Sequence, residues 1–141
     1  MYYNPKNFKY IEKGAYVIYE SYHNNQSPIV ILSTGSEVEL SIEVAKELEK
    51  ESFSVRVISV PCLELFRIQK DKYKESLLGI NKKLRFAIEA AHPQSWYEWV
   101  EPEHVYGIKE FGASAPGDIL MEYFGFTVKN LKKFILSQIK R

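Results

Sequence analysis

Two carboxylates and a histidine stand where acid–base chemistry could be done: Glu37, Glu89 and His92. Each lies at or just past the end of an apolar run of strand character, where sheets of parallel strands receive ligands. A carboxylate and an imidazole within hydrogen-bond reach of a substrate can serve as general acid and base. Spacing along the chain does not force these three together. Each also has a structural alternative: Glu89 as an acceptor for neighbouring N–H groups, and His92, before Pro93, as a turn residue. Immediately ahead of Glu37, the backbone N–H groups of Gly35 and Ser36 would point past a strand end, which makes Gly35, Ser36 and Glu37 a candidate anion or effector site. In the alternative reading, Gly35 only makes the turn and Ser36 only caps a helix. Glu37 counts against an anion, because its carboxylate already occupies the positive end of the helix dipole.

Other chemistries find no footing. The single cysteine, Cys62, allows no internal disulfide and has no cationic neighbour in sequence, so a buried structural thiol is expected. His23, His92 and His104 share no metal-ligand spacing with one another or with Cys62. There is no phosphate-binding glycine loop, no serine elbow and no basic aromatic array. A net charge of +1 over 141 residues argues against nucleic acid as a partner. No apolar run approaches the length of a membrane span, and the polar, tyrosine-rich start is no signal peptide, so no membrane partner is expected and a reducing, cytoplasmic setting fits. Hydrophobic residues at 45% and charged residues at 26% are ordinary for one globular domain with a sizeable core.

The elements that must position these groups are legible as periodicities. Ile29 to Leu32 is a continuous aliphatic run, the pattern of a strand covered on both faces. Ser36 and Glu39 form a Ser-x-x-Glu capping box. Val38, Ile42, Ala45 and Leu48 then follow at helical spacing, widened by Leu40 and Val44. Gly14 opens a strand over Ala15 to Tyr19. The turn from Tyr22 to Pro28 is too short for a parallel crossover, so this first strand is antiparallel to the next.

Further strands are expected over Phe53 to Val60, Leu84 to Ala90 and Val105 to Ile108. Helical segments are expected after Pro61 (Leu63 to Ile68), from an Asp71 N-cap through Leu78 with Gly79 as the stop, over Gln94 to Val100, over Ile119 to Phe124, and from a Thr127 cap through a face of Val128, Leu131, Phe134, Ile135 and Ile139. The fold class is therefore α/β: a three-layer α/β/α sandwich around a sheet of about five mostly parallel strands, the first one antiparallel. Residues 1–13, with Tyr2, Tyr3, Phe8 and Tyr10, read as an N-terminal arm or interdomain linker, and residues 14–141 as the domain.

Several long motifs, in order along the chain, resemble the C-terminal domain of transketolases. They are Thr34-Gly35-Ser36-Glu37-Val38-Glu39-Leu40, Val55 to Pro61, Phe66 to Gln69 with Tyr73 to Leu78, and Ile88-Glu89-Ala90. Most specific are Gly107-Ile108-Lys109-Glu110-Phe111-Gly112-Ala113-Ser114-Ala115-Pro116 and Phe124-Gly125-Phe126-Thr127. Departures are modest: Ala91 stands where glycine is common, which bears on close backbone approach there, and Gly79 where proline is common.

The resemblance implies a transketolase C-terminal domain-like fold and a role within an enzyme of the pentose phosphate pathway. Such enzymes transfer a two-carbon ketol unit between sugar phosphates with thiamine diphosphate and Mg²⁺. In that family the cofactor lies between the N-terminal and middle domains of a homodimer, and the last domain is held not to supply its ligands. The Gly-Asp-Gly motif that anchors the metal is absent here. The resemblance therefore implies a non-catalytic, structural or regulatory domain, inactive alone, with no catalytic, cofactor-binding or metal residues of its own. Its partners would be the N-terminal and middle domains. The turn at Gly35, Ser36 and Glu37 is the one place the family's fold suggests for a regulatory ligand. The alternatives are a free-standing module for small anions, resting on that same turn, and a small subunit of a split thiamine-dependent enzyme.

Overall fold

The computed structural model describes residues 11–89, 93–107 and 125–139. Most of the N-terminal arm, Ala90 to His92, and residues 108–124 with their Phe-Gly-Ala-Ser-Ala-Pro run and expected helix lie outside the described residues.

The chain order is β1 (Tyr16–Ser21), β2 (Ile29–Ser33), α1 (Glu37–Glu49), β3 (Val55–Ser59), α2 (Leu63–Arg67), α3 (Asp71–Leu78), β4 (Arg85–Glu89), β5 (Val105–Gly107) and α4 (Val128–Ile139). The strands form one five-stranded sheet in the order β1-β3-β2-β4-β5. β2 pairs in parallel with β3 (Ile31↔Val57) and with β4 (Ile31↔Phe86), and β4 pairs in parallel with β5. β1 is the antiparallel exception, as the short turn requires. Its hydrogen-bonded partner, however, is β3 (Val17↔Ile58) rather than its chain neighbour β2, because α1 returns the chain so that β3 lies between them. The turn before β2 is pinned by Ser54, whose Oγ accepts from His23 N at 2.7 Å.

Every residue of β2 is buried, and its alternate side chains serve two cores. Ile29 and Ile31 pack with Val44, Ala45 and Leu48 of α1 and Leu131 and Ile135 of α4. Val30 and Leu32 face the other way, into a core with Phe66, Leu78, Trp96 and Trp99. A period of two in the strand thus supplies both faces, which is why the run reads as uniformly apolar. α4 is capped by Thr127, whose Oγ1 accepts from Asn130 N at 3.2 Å. It is seated by Phe134, edge-on to Phe86 at 6.1 Å and to Tyr106 at 5.1 Å.

Several local expectations change in three dimensions. Asp71 is the first residue of α3, and Lys70 is its cap. The segment carrying Trp96 and Trp99 is a single 3-10 turn, Pro93–Trp96, followed by turns instead of an α-helix. Both indoles are buried by that tight path, so they act as core plugs and not as one stripe of a helix. The apolar stripe of α1 also shifts: Glu37 and Ser41 are buried alongside Val44, Ala45 and Leu48, while Val38 and Ile42 are half-buried. Cys62 is only half-buried, because it stands at the cap position of α2 and its thiol lies 3.4 Å from Glu64 Oε2.

Gly14 explains how α2 meets the sheet. At φ +86 it takes a left-handed conformation, and a Cβ there would lie 2.3 Å from Cys62 O and 2.4 Å from Phe66 N. Only glycine permits that approach. The contact is closed by the bond from Cys62 N to Gly14 O at 3.1 Å.

Candidate functional site

β2 ends at Ser33, and the chain turns through Gly35 (φ +59) into α1. Space beside Gly35 is open: a Cβ would meet nothing nearer than Glu37 Oε2 at 3.9 Å. Here only the positive φ calls for glycine. Ser36 is already in helical conformation (φ −67, ψ −21) and makes no side-chain cap. Its Oγ instead donates to Glu37 Oε2 at 3.0 Å. The expected capping box therefore does not form. A cap residue needs extended backbone for its oxygen to reach back over the first turn, and Ser36 has entered the helix. The first turn is held by its own backbone: Glu37 N donates to Thr34 O and Val38 N to Gly35 O, both at 3.3 Å.

The Glu37 carboxylate is buried at 8% exposure. Below it, Ser41 Oγ lies 2.8 Å from Glu37 O and 2.9 Å from Ser33 Oγ. With one proton per hydroxyl, Ser41 donates to the carbonyl and Ser33 donates to Ser41. The spacing of four residues between Glu37 and Ser41 is the sequence signal for this contact, hidden because serine does not mark an apolar stripe.

The neighbouring strand brings Glu89 to the same end of the sheet, since Ser33 of β2 is in register with Ile88 of β4. Glu89 is also buried at 8% exposure, and its Oε2 accepts from Trp96 Nε1 at 2.9 Å. Gly107, at the end of β5, lies against the same turn: a Cβ there would come 2.3 Å from Pro93 Cγ and 2.9 Å from Glu89 O. The 93–96 turn thus folds over the carboxyl ends of β4 and β5. Glu37 and Glu89 share an end of the fold, but each is bonded into the scaffold around it. His92, the third member of the expected group, lies outside the described residues, as do Glu110 and Gly112.

His104, which sequence spacing sets aside as a metal ligand, is buried at the opposite end of the sheet. It is the last residue of a single turn, Pro102–His104, ahead of β5. Among the described residues no three His, Cys, Asp or Glu side chains converge to hold a metal ion, and no helix is long and apolar enough to cross a membrane.

The sequence matches the family model described as the transketolase-like TK C-terminal domain over residues 14–127. A transketolase of Staphylococcus epidermidis is 45% identical over 128 residues, covering 90% of this chain and 19% of its own length. Among solved structures, transketolase from Campylobacter jejuni superposes with a TM-score of 0.78 at 41% identity, covering 90% of this chain and 19% of that one. Transketolase from Leishmania mexicana does so at 0.80 and 33% identity, over 94% and 19%. The chain thus spans about a fifth of the length of these relatives. The sheet order, the single antiparallel edge strand and the motif series all accord with this match, and the chain belongs to the transketolase C-terminal domain family.

Proposed function

We propose that this chain acts as the C-terminal, supporting domain of a transketolase, an enzyme moving a two-carbon ketol unit between sugar phosphates. What supports the reading is the family match over residues 14–127, together with relatives of which the chain covers about a fifth. In this reading the N-terminal and middle domains are its partners, the whole enzyme is a homodimer, and the domain is inactive alone.

Thiamine diphosphate with Mg²⁺ is the cofactor the reading assigns to the whole enzyme. Mg²⁺ needs several convergent oxygen ligands in near-octahedral array. The donor set among the described residues does not fit that need. Glu89 is committed to Trp96, Glu37 takes the Ser36 hydroxyl, and no third His, Cys, Asp or Glu joins them. No step of the reaction is therefore assigned to these residues. The same geometry bears on the turn at Gly35, Ser36 and Glu37. A buried carboxylate at the head of α1 repels an anion, so a phosphate or other small anion is not the ligand this proposal places there.

Thermal melting of the chain with thiamine diphosphate and Mg²⁺ tests the reading. No shift is expected for the chain alone. Ketol transfer is expected when the chain is co-expressed with a transketolase lacking its last domain. A saturable shift of the isolated chain, or turnover of a ketose donor by it, would overturn the proposal.

A further inference from the structure

The end of the sheet remote from Gly35 holds a cavity of about 480 Å³, lined by Asn81, Lys83, Glu101, Glu103, His104 and Gln138. It lies where the chain enters β4 and β5, against the last turn of α4, and takes no part in the function proposed above.

One of its lining groups is a fixed imidazole. His104 is 6% exposed and stacks on the Phe86 ring at 4.4 Å and 11°. Its Nδ1 lies 3.1 Å from Arg85 O. A carbonyl oxygen only accepts, so Nδ1 carries a proton here, which in the neutral tautomer leaves Nε2 as the acceptor. His104 lines the cavity, and among the described residues nothing takes Nε2.

The walls are unpaired in the same sense. No described residue forms an ion pair with Lys83, Glu101 or Glu103. Asn81 uses its Oδ1 to accept from Lys83 N at 3.1 Å, which leaves its Nδ2 as a donor. The cavity therefore offers two carboxylates and an imidazole nitrogen as acceptors, an ammonium and an amide as donors, and Gln138 as both. Among the described lining residues the formal charge is negative by one, from one lysine against two glutamates. A metal is not the match, since among the described residues no three possible ligands converge.

We propose that this cavity binds a small polyhydroxylated primary amine of the amino-sugar class. The ammonium group would lie toward Glu101 and Glu103. Hydroxyls would donate to His104 Nε2 and accept from Lys83 and Asn81. One cation answers the surplus carboxylate, and several hydroxyls answer the mixed donors and acceptors.

D-glucosamine is the probe, with D-glucose as the uncharged control of the same shape, titrated into the isotope-labelled chain and followed by NMR. Glucosamine is expected to move the His104 ring nitrogens and the amides of Asn81 and Lys83. Glucose is expected to bind about tenfold more weakly. The double substitution Glu101→Gln and Glu103→Gln lies at partly or fully exposed positions and is expected to weaken glucosamine about threefold to tenfold. The melting temperature of that variant checks that its fold is intact. Three results would each overturn the proposal: no movement at His104 at concentrations on the order of tens of millimolar, equal binding of glucose, or undiminished binding by a folded double variant.

Discussion

Trp96 Nε1 donates to Glu89 Oε2 at 2.9 Å, and both side chains are buried. This bond joins the end of β4 to the turn that folds back over it. It converts the most conspicuous carboxylate at the strand ends from a candidate acid or base into a structural acceptor. A buried carboxylate deprived of a donor carries the desolvation cost that the bond had offset.

Removal of the donor is the direct test of that role. Trp96→Phe keeps an aromatic ring but deletes the indole N–H and part of the core volume. We expect a loss of about 2–4 kcal/mol, combining the lost bond with the vacated space. Glu89→Gln keeps an acceptor oxygen for the indole and is expected to cost less. Urea denaturation of the three proteins measures both. A Glu89→Gln variant less stable than Trp96→Phe would contradict the structural role.

Gly14 and Gly35 both have positive φ but differ in their surroundings, and that difference predicts a ranking. At Gly35 a new Cβ meets only Glu37 Oε2 at 3.9 Å, so Gly35→Ala incurs the left-handed conformation alone, about 1–2 kcal/mol. At Gly14 the Cβ would overlap Cys62 O at 2.3 Å and Phe66 N at 2.4 Å, both backbone atoms that move only if α2 moves. Gly14→Ala should lose that conformational term and about 1–3 kcal/mol more from the overlap. Melting temperatures of the two variants read the order, with Gly14→Ala the lower.

A pH dependence follows from the Tyr19 hydroxyl, which donates to the Glu49 carboxylate across β1 and α1. Burial, followed by the Glu49 bond and charge, pushes the Tyr19 hydroxyl up to about 12. The bonds from Tyr19 and then Ser21 hold Glu49 below the usual carboxylate value. A raised tyrosine contributes stability that is complete below the unfolded value near 10 and is lost as pH rises through about 12. A depressed carboxylate contributes stability above the unfolded value of about 4.3, lost as pH falls through the folded one. The stability difference between the native chain and Tyr19→Phe should therefore be flat from about pH 5 to about pH 10 and shrink on both sides. Denaturation midpoints of the two proteins across pH check it. A difference that persists unchanged in acid would remove Glu49 from the account.

The sequence by itself determined the five strands, the helices α1 to α4, the fold class and the family, but not the 3-10 path that its spacing reads as a helix over Gln94 to Val100. The aliphatic run at Ile29 to Leu32, the helical spacing through Leu48 and the face of α4 from Val128 to Ile139 are local periodicities, and burial follows the period of the backbone. The shortness of the turn before Pro28 likewise fixed the direction of β1.

Which strand β1 would join was decided only in three dimensions, because pairing with β3 depends on where α1 returns the chain. The same holds for Ser36, whose hydroxyl goes to Glu37 once the backbone enters the helix a residue early. It holds for the short path that plugs Trp96 and Trp99 into the core, and for His104, set against Phe86 and Arg85 O from across a strand pair. A side chain's partner is a matter of distance through space, and spacing along the chain carries that distance only within a turn or two of one element.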